Sequence, residues 1–460
     1  MKIRKIKFHQ HPVLGDLELN LVNQETGLPY DTIVFAGENG TGKTSILESL
    51  STFLNKRSIR SFSRIEYEAN GNMFAVEPLD DGMHVDVGYH KRINLTNGSV
   101  SNIHSAAGNS EERINNDLDD LRHYGCIYTK VRSNYSSQPI KGTTASELDT
   151  TVYDTDSKED FTSLKQLMVD IDTQDNRDLR VRMDNFPNEG FNYADFKNKT
   201  RMSRFQSAFD NFFELIKFKG VEPESGNMEV FFEKHGQKIK IDTLSTGEKQ
   251  IVYRGAYLLR NVGKLDGAAI LIDEPELSMH PKWQMRILKY FKDLFTTADG
   301  SQRAQLFFAT HSEYVLGEAL KDKDKTLVIV LKDINGTIDK HEVKTPLVLP
   351  VITASEINYA AFDVPSVDYH IALYGAIQSK YGVHHITDCD SKIESCTPYY
   401  QVAKHERLTP NPNKPASPYK TVCTKVRNHI DHPDTAPAYT IEEMKDSIIL
   451  MRDILMNVAP

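Results

Sequence analysis

Residues 37–44 read Gly37-Glu38-Asn39-Gly40-Thr41-Gly42-Lys43-Thr44 and fill every fixed position of the pattern GxxxxGK[ST]. Glycines at this spacing let the backbone turn so that successive N–H groups aim at phosphate oxygens, and a following helix adds its positive end. Lys43 then reaches the β- and γ-phosphates, the Thr44 hydroxyl ligates Mg²⁺, and Ser45 belongs to the same binding turn. ATP and Mg²⁺ are the expected ligands. A second group lies far along the chain, where the apolar run Ala268–Ile272 ends in Asp273 and Glu274. A buried strand ending in Asp places a carboxylate at the sheet's C-terminal edge, beside the phosphates, to hold Mg²⁺ through water. The adjacent Glu274 is placed to polarise a water attacking the γ-phosphate.

These side chains need a scaffold that delivers them to one edge. Thr32–Ala36 reads as a buried strand, residues 37–42 as a glycine turn, and a helix begins near Thr44. Between 220 and 320 a strand pair, a helix, the strand at 268–272, another helix and the strand at 304–309 alternate. That alternation predicts a parallel α/β sheet covered on both faces. Residues 55–135 break into short alternating segments that predict antiparallel strands. A helix is expected over about 203–217, with Phe205, Phe209, Phe212 and Phe213 in the core.

Three further motifs sharpen the reading. Leu244-Ser245-Thr246-Gly247-Glu248 precedes the acids, Glu276-Leu-Ser-Met-His-Pro281 follows them, and Phe308-Ala-Thr-His311-Ser312 ends the last strand. In this order they resemble the ABC-type ATPase superfamily, in the soluble branch that includes RecF, Rad50 and the overcoming-lysogenization-defect ATPases. The resemblance implies that Ser245, Gly247 and Glu248 form a signature facing the phosphate loop of a second copy. It also implies that His311 senses the γ-phosphate and that ATP joins a homodimer or higher homo-oligomer. After the strand near 124–129 comes Lys130-Val-Arg-Ser133, with no recognisable Q-loop glutamine.

The expected fold class is therefore α/β: an ABC-type ATPase head, with a phosphate-loop parallel sheet, an antiparallel subdomain and a helical insertion, followed by a mainly helical C-terminal domain. The expected domains are 1–135, carrying the phosphate loop; 136–217, a helical acidic insertion or arm; 218–345, carrying signature, acids and His311; and 346–460. In the last, Glu356-Ile-Asn-Tyr359, the segment 368–375, Arg427-Asn-His-Ile-Asp-His432-Pro and the helix after Thr440 resemble the tail of anti-phage ATPases. The nearest resemblance is to the ATPase subunit of the Septu system and retron-associated relatives, which implies a partner HNH nuclease that cuts DNA. Arg427 and His432 also fit the short pattern of HEPN ribonucleases, so a self-contained toxin is the alternative. A RecF-like repair ATPase explains the head and leaves the tail without a role.

Composition bounds these readings. Of 460 residues 39% are hydrophobic and 26% charged, which excludes wholesale disorder. No apolar run nears the ~20 residues that span a bilayer. MKIRKIKF lacks the apolar region of a signal peptide, and Cys126, Cys389, Cys396 and Cys423 form no CxxC pair. A soluble, cytoplasmic protein without a membrane partner is expected. The net charge of −9 argues against a dedicated nucleic-acid binder. Nine acids (Glu147, Asp149, Asp154, Asp156, Glu159, Asp160, Asp170, Asp172, Asp175) against Lys158 and Lys165 are expected on a solvated face. Cations nevertheless gather at Lys56, Arg57, Arg60 and Arg64, at Lys197, Lys199, Arg201 and Arg204, and at Lys404, Arg407, Lys414, Lys420, Lys425 and Arg427. Such strips are expected to offer local contacts to DNA.

Overall fold

Strand β3 (Thr32–Ala36) is buried at all five positions, as an unbroken apolar run must be. It lies inside a six-stranded sheet ordered β15 (Thr337–Glu342), β14 (Thr326–Ile334), β3, β13 (Gln305–Thr310), β12 (Ala269–Asp273) and β8 (Cys126–Thr129). The pairings from β14 to β8 are all parallel. Phe35 lies opposite Ala309, and Ala309 opposite Asp273. Three strands distant in sequence therefore end together at one edge, where an open α/β sheet binds its ligand.

The computed structural model describes residues 1–55, 62–79, 89–104, 117–129, 161–185, 192–197, 200–259, 266–297, 300–412 and 415–459. It divides into two compact units, Met1–Lys340 and His341–Pro460.

In the first unit an antiparallel sheet runs β2 (Glu18–Asn20), β1 (Lys2–Phe8), β4 (Phe62–Ala69), β5 (Asn72–Pro78), β6 (Tyr89–Asn94) and β7 (Val100–His104). Helix α1 (Lys43–Leu54) turns Ile46, Leu47, Leu50, Phe53 and Leu54 inward. They share one core with Ile3 and Ile6 of β1 and with Ile33 and Phe35 of β3. The helix that leaves the phosphate loop is thus seated against side chains of both sheets.

The remaining elements of this unit are α2 (Phe161–Asn185), α3 (Tyr193–Lys197), α4 (Arg201–Phe212), the meander β9 (Ile216–Glu224), β10 (Asn227–Lys234) and β11 (Gln237–Lys240), and helices α5 (Thr246–Leu259), α6 (Pro281–Leu294) and α7 (Glu313–Ala319). The helix expected to reach residue 217 stops at Phe212. There the Lys217 ammonium donates to the carbonyls of Asp210 and Phe213, and the Phe218 N–H donates to the Asp210 carboxylate at 2.9 Å. Capping groups that follow the helix end it, although the phenylalanine spacing continues. Phe205, Phe209, Phe212 and Phe213 are all buried.

The acidic segment departs from expectation. Asp170 and Asp175 are buried. Asp170 accepts from Gln166 at 2.9 Å, and Asp175 from the backbone N–H of Met202 at 2.9 Å. Acids of α2 therefore serve as internal acceptors, Asp175 tying α2 to the start of α4, so the solvated-face reading fails for these two. Glu147, Asp149, Asp154, Asp156, Glu159, Asp160 and Lys158 lie outside the described residues, as do Lys130–Ser133, Lys56, Arg57, Arg60, Lys199 and Lys414.

The second unit comprises α8 (Ala354–Phe362), α9 (Val367–Tyr381), α10 (Ile386–Ser395), α11 (Val402–His405), the two-stranded β16 (Glu406–Thr409) and β17 (Tyr419–Thr421), α12 (Val422–Asp431) and α13 (Ile441–Asn457). Tyr369, Leu373 and Ile377, one face of α9, share a core with Ile448, Met451 and Ile454 of α13. Each such side chain contributes about 1.5–3 kcal/mol by leaving water. Thr440 and Glu443 cap α13 reciprocally, as their spacing predicts.

Candidate nucleotide site

The phosphate loop connects β3 to α1 through conformations that side chains obstruct. At Gly37 a Cβ would stand 2.3 Å from the Leu331 carbonyl oxygen. Gly42 caps α1 at φ 86°, and a Cβ there would stand 2.3 Å from Leu14 Cδ2. The loop backbone thus stays bare, as close approach of phosphate requires. Lys43, 4% exposed, donates from Nζ to the carbonyls of Gly37 at 2.8 Å and Glu38 at 2.7 Å. Burial lowers its ammonium to about 8, against the opposing pull of Asp273, Glu274, Glu276 and Glu38. Thr41 bonds back to the Glu38 carbonyl at 2.9 Å and closes the turn.

Next to the loop, the Thr44 hydroxyl donates to Asp273 Oδ2 at 3.0 Å. Tyr128 of β8 donates its hydroxyl to the same oxygen at 3.2 Å. Burial pushes the Asp273 carboxyl up, and these two hydroxyls oppose the shift. Glu274 takes up φ 41°, left-handed for a residue with a side chain, and its N–H donates to the Ala309 carbonyl at 2.9 Å. That turn brings Glu274 Oε1 to 3.4 Å from Nε2 of His311, which follows β13. Burial, then the Lys43 charge, lowers the His311 imidazole. The ring therefore meets Glu274 as a neutral group near pH 7.

A Mg²⁺ nucleotide fits these residues. A bare glycine cradle, a buried cation, and a hydroxyl beside a carboxylate are the hard oxygen ligands and phosphate partners it takes. The sequence-derived residues Gly37, Lys43, Thr44, Asp273, Glu274 and His311 come together at one sheet edge, with Glu38, Asn39, Gly40, Thr41 and Ser45 in the loop and helix between them. The signature residues do not join them. Glu248 binds Lys234 at 2.8 Å and accepts the Ser245 N–H at 2.8 Å. Gly247 packs on α6 and its approach, where a Cβ would stand 2.9 Å from the Ser278 carbonyl oxygen and 3.2 Å from the Trp283 ring.

Two site residues were not singled out from sequence. Tyr128 reaches Asp273 because β8 pairs with β12 in parallel register, Tyr128 opposite Leu271. Glu276 accepts the Thr310 hydroxyl at 2.8 Å and the His311 N–H at 2.7 Å. Its signal was a third acid in Asp273-Glu274-Pro275-Glu276.

In the second unit, Arg427 pairs with Asp431 at 2.6 Å and donates to Asn428 at 3.1 Å, while His432 forms the C-cap of α12. The nearby His429 ring contacts the Ala436 carbonyl at 3.1 Å. Positions five apart on a helix point about 140° from each other, so α12 itself does not aim Arg427 and His432 at one point. The basic strip is balanced by acids outside it: Lys404 by Asp446, Arg407 and Lys425 by Glu443, and Lys420 by Glu394. Arg64 is paired with Glu66 and Glu77, and Arg201 stands 3.8 Å from Asp175. Among the described residues no helix is long and apolar enough to cross a membrane.

Residues 1–202 match the family model of an AAA ATPase domain, and residues 141–317 match that of an AAA domain described as a putative AbiEii toxin of a type IV toxin–antitoxin system. The chain therefore carries an AAA-family ATPase domain. Among known proteins it is similar to the Septu protein PtuA of Bacillus thuringiensis, 24% identical over 351 residues that cover 69% of this chain and 73% of that protein. Solved structures that resemble it include the SMC head domain from Thermotoga maritima, 14% identical with TM-score 0.35, covering 75% of this chain and 100% of that one. Another is the SmcHead bound to the C-winged helix domain of ScpA, 15% identical with TM-score 0.39, covering 75% and 98%.

Proposed function

We propose that this chain is the ATP-binding, slowly hydrolysing ATPase subunit of an anti-phage defence complex. In this reading two copies close around two nucleotides and so regulate a partner HNH nuclease that cuts DNA. The observation that carries it is the division of the motif residues. Lys43, Thr44, Asp273, Glu274 and His311 converge at one edge, while Ser245, Gly247 and Glu248 of the same chain are engaged elsewhere. Such a half-site calls for a second copy's signature to complete it.

The backbone of residues 37–44 and the Lys43 ammonium hold the phosphates, and Thr44 and Asp273 hold Mg²⁺. Bound Mg²⁺ supplies neutralisation of the phosphate charge. Glu274, partly open to solvent, takes the proton of the attacking water, and the neutral His311 ring, with a single N–H to give, directs it at Glu274 and so orients the acid beside the γ-phosphate. The similarity to PtuA supports placing the chain in a Septu-like system, and the nuclease chemistry is assigned to the proposed partner. Because the described cations of the 404–427 strip are paired within the chain, DNA contact is assigned to the partner complex.

Sedimentation with and without ATP and Mg²⁺ tests the reading. Nucleotide-dependent assembly that Lys43→Ala abolishes supports it, and a mass unchanged by nucleotide overturns it.

A further inference from the structure

Glu276 is the acid that the hydrolytic scheme leaves unused. It is 8% exposed, whereas Glu274, two residues earlier, leaves 32% of its side chain open to solvent. Its Oε1 accepts both the Thr310 hydroxyl and the His311 backbone N–H, at 2.8 and 2.7 Å. Its Oε2 is buried and has no hydrogen-bond partner among the described residues. An acid withdrawn from solvent, with one oxygen doubly engaged, is badly placed to accept a proton from water. It is well placed to fix a turn.

The turn it fixes is the one that presents His311. Thr310, the end of β13, gives its hydroxyl proton to Glu276 and accepts the Ser312 N–H at 3.0 Å. The Ser312 hydroxyl donates to Gln284 at 2.6 Å, and the Gln284 amide donates to the Met279 carbonyl at 3.0 Å. Among the described residues, hydrogen bonds through Glu276 and through Gln284 join the loop after the acids to the histidine turn, next to the bond from the Glu274 N–H to the Ala309 carbonyl. Among the described residues, the Glu276 link is the one of these that acts on the His311 backbone itself. The His311 ring is then left 3.4 Å from Glu274.

We propose that Glu276 is a positioning residue, which sets His311 against Glu274 by clamping the Thr310–His311 turn. The proposal rests on the reading of Glu274 and His311 as the groups beside the γ-phosphate. It explains why the segment carries a third acid that no metal or water role requires. Glutamine keeps the accepting oxygen and leucine removes it, so the two replacements separate the clamp from mere side-chain bulk.

The test combines amide hydrogen exchange at residues 309–312, affinity for a fluorescent ATP analogue, and single-turnover hydrolysis. Glu276→Gln is expected to keep the exchange protection of the His311 amide and hydrolysis within about threefold of the parent. Glu276→Leu is expected to lose that protection at least about tenfold and to hydrolyse as slowly as His311→Ala, with analogue affinity unchanged. The double variant Glu276→Leu/His311→Ala is then no slower than His311→Ala alone. Should Glu276→Leu not fold, Thr310→Val removes one donor and is expected to give intermediate protection. Full protection at His311 in the leucine variant, or in Thr310→Val where that stands in, overturns the proposal. So do losses from Glu276→Leu and His311→Ala that multiply. If His311→Ala hydrolyses like the parent, the reading of His311 fails, and the exchange data still decide whether Glu276 clamps the turn.

Discussion

Thr44 and Asp273, 229 residues apart in sequence, meet through a 3.0 Å hydrogen bond. The contact exists because β3 and β12 flank β13 in a parallel sheet and end at the same level. Hydroxyl and carboxylate so placed are the metal-holding pair of the proposed site, and the expected consequences follow from their neighbours.

Glu274→Gln removes the proposed proton acceptor and leaves the phosphate loop intact. Hydrolysis is expected to fall about 10²–10⁴-fold while nucleotide binding and assembly persist. Phosphate release and sedimentation on the same sample check both halves. Equal hydrolysis by the variant removes Glu274 from the role of base.

Tyr128→Phe keeps the ring and deletes one hydroxyl from Asp273. Losing a hydrogen bond worth about 0.5–1.5 kcal/mol is expected to raise the Mg²⁺ concentration for half-saturation about two- to tenfold. Affinity for metal-free ATP is expected to stay as it was. A Mg²⁺ titration monitored with a fluorescent nucleotide separates the two, and an unshifted curve speaks against Tyr128 as a support for Asp273.

Lys43 makes nucleotide binding depend on pH with a definite sign. Burial holds the free ammonium down at about 8, and bound phosphates stabilise the charged form, so the complex has the higher value. Affinity is therefore full below pH 8. It falls as pH rises through 8, by up to about tenfold per unit until the complex itself titrates. Binding at pH 7 and pH 9 measures this. Lys43→Arg, charged throughout, is expected to flatten the profile.

Lys165 of α2 is buried, 2% exposed, and binds Glu229 of β10 at 3.0 Å and Asp242 at 2.9 Å. Lys165→Met strands the Glu229 charge and is expected to cost about 3–5 kcal/mol in urea unfolding. Adding Glu229→Gln is expected to recover part of the loss. A cost below about 1 kcal/mol shows that the arm helix is not anchored here.

Much of this site was legible because its motifs carry local chemistry. The glycine turn needs conformations that only glycine adopts freely, and the run Ala268–Ile272 can lie only in a covered sheet. Tyr128 was not legible, since its hydroxyl finds Asp273 through strand order. Glu276 was visible as a residue but not as a clamp, because its partners lie on another strand. The α2 acids Asp170 and Asp175 misled, and the 404–427 cations were counted without their acidic partners, for one physical reason. Local charge counts ignore partners such as Met202 N–H, Asp446 and Glu443, which the fold brings in from elsewhere.

The central claim is that each nucleotide is completed by the signature of a second copy, and mixing two inactive variants tests it most directly. Lys43→Ala lacks a working phosphate loop and keeps its signature, while Ser245→Arg has the opposite defect. Each alone is expected to give neither ATP-dependent assembly nor hydrolysis. Mixed, they form one intact composite site and are expected to recover both in part. A mixture as inert as its components, or a Ser245→Arg variant active alone, contradicts the account.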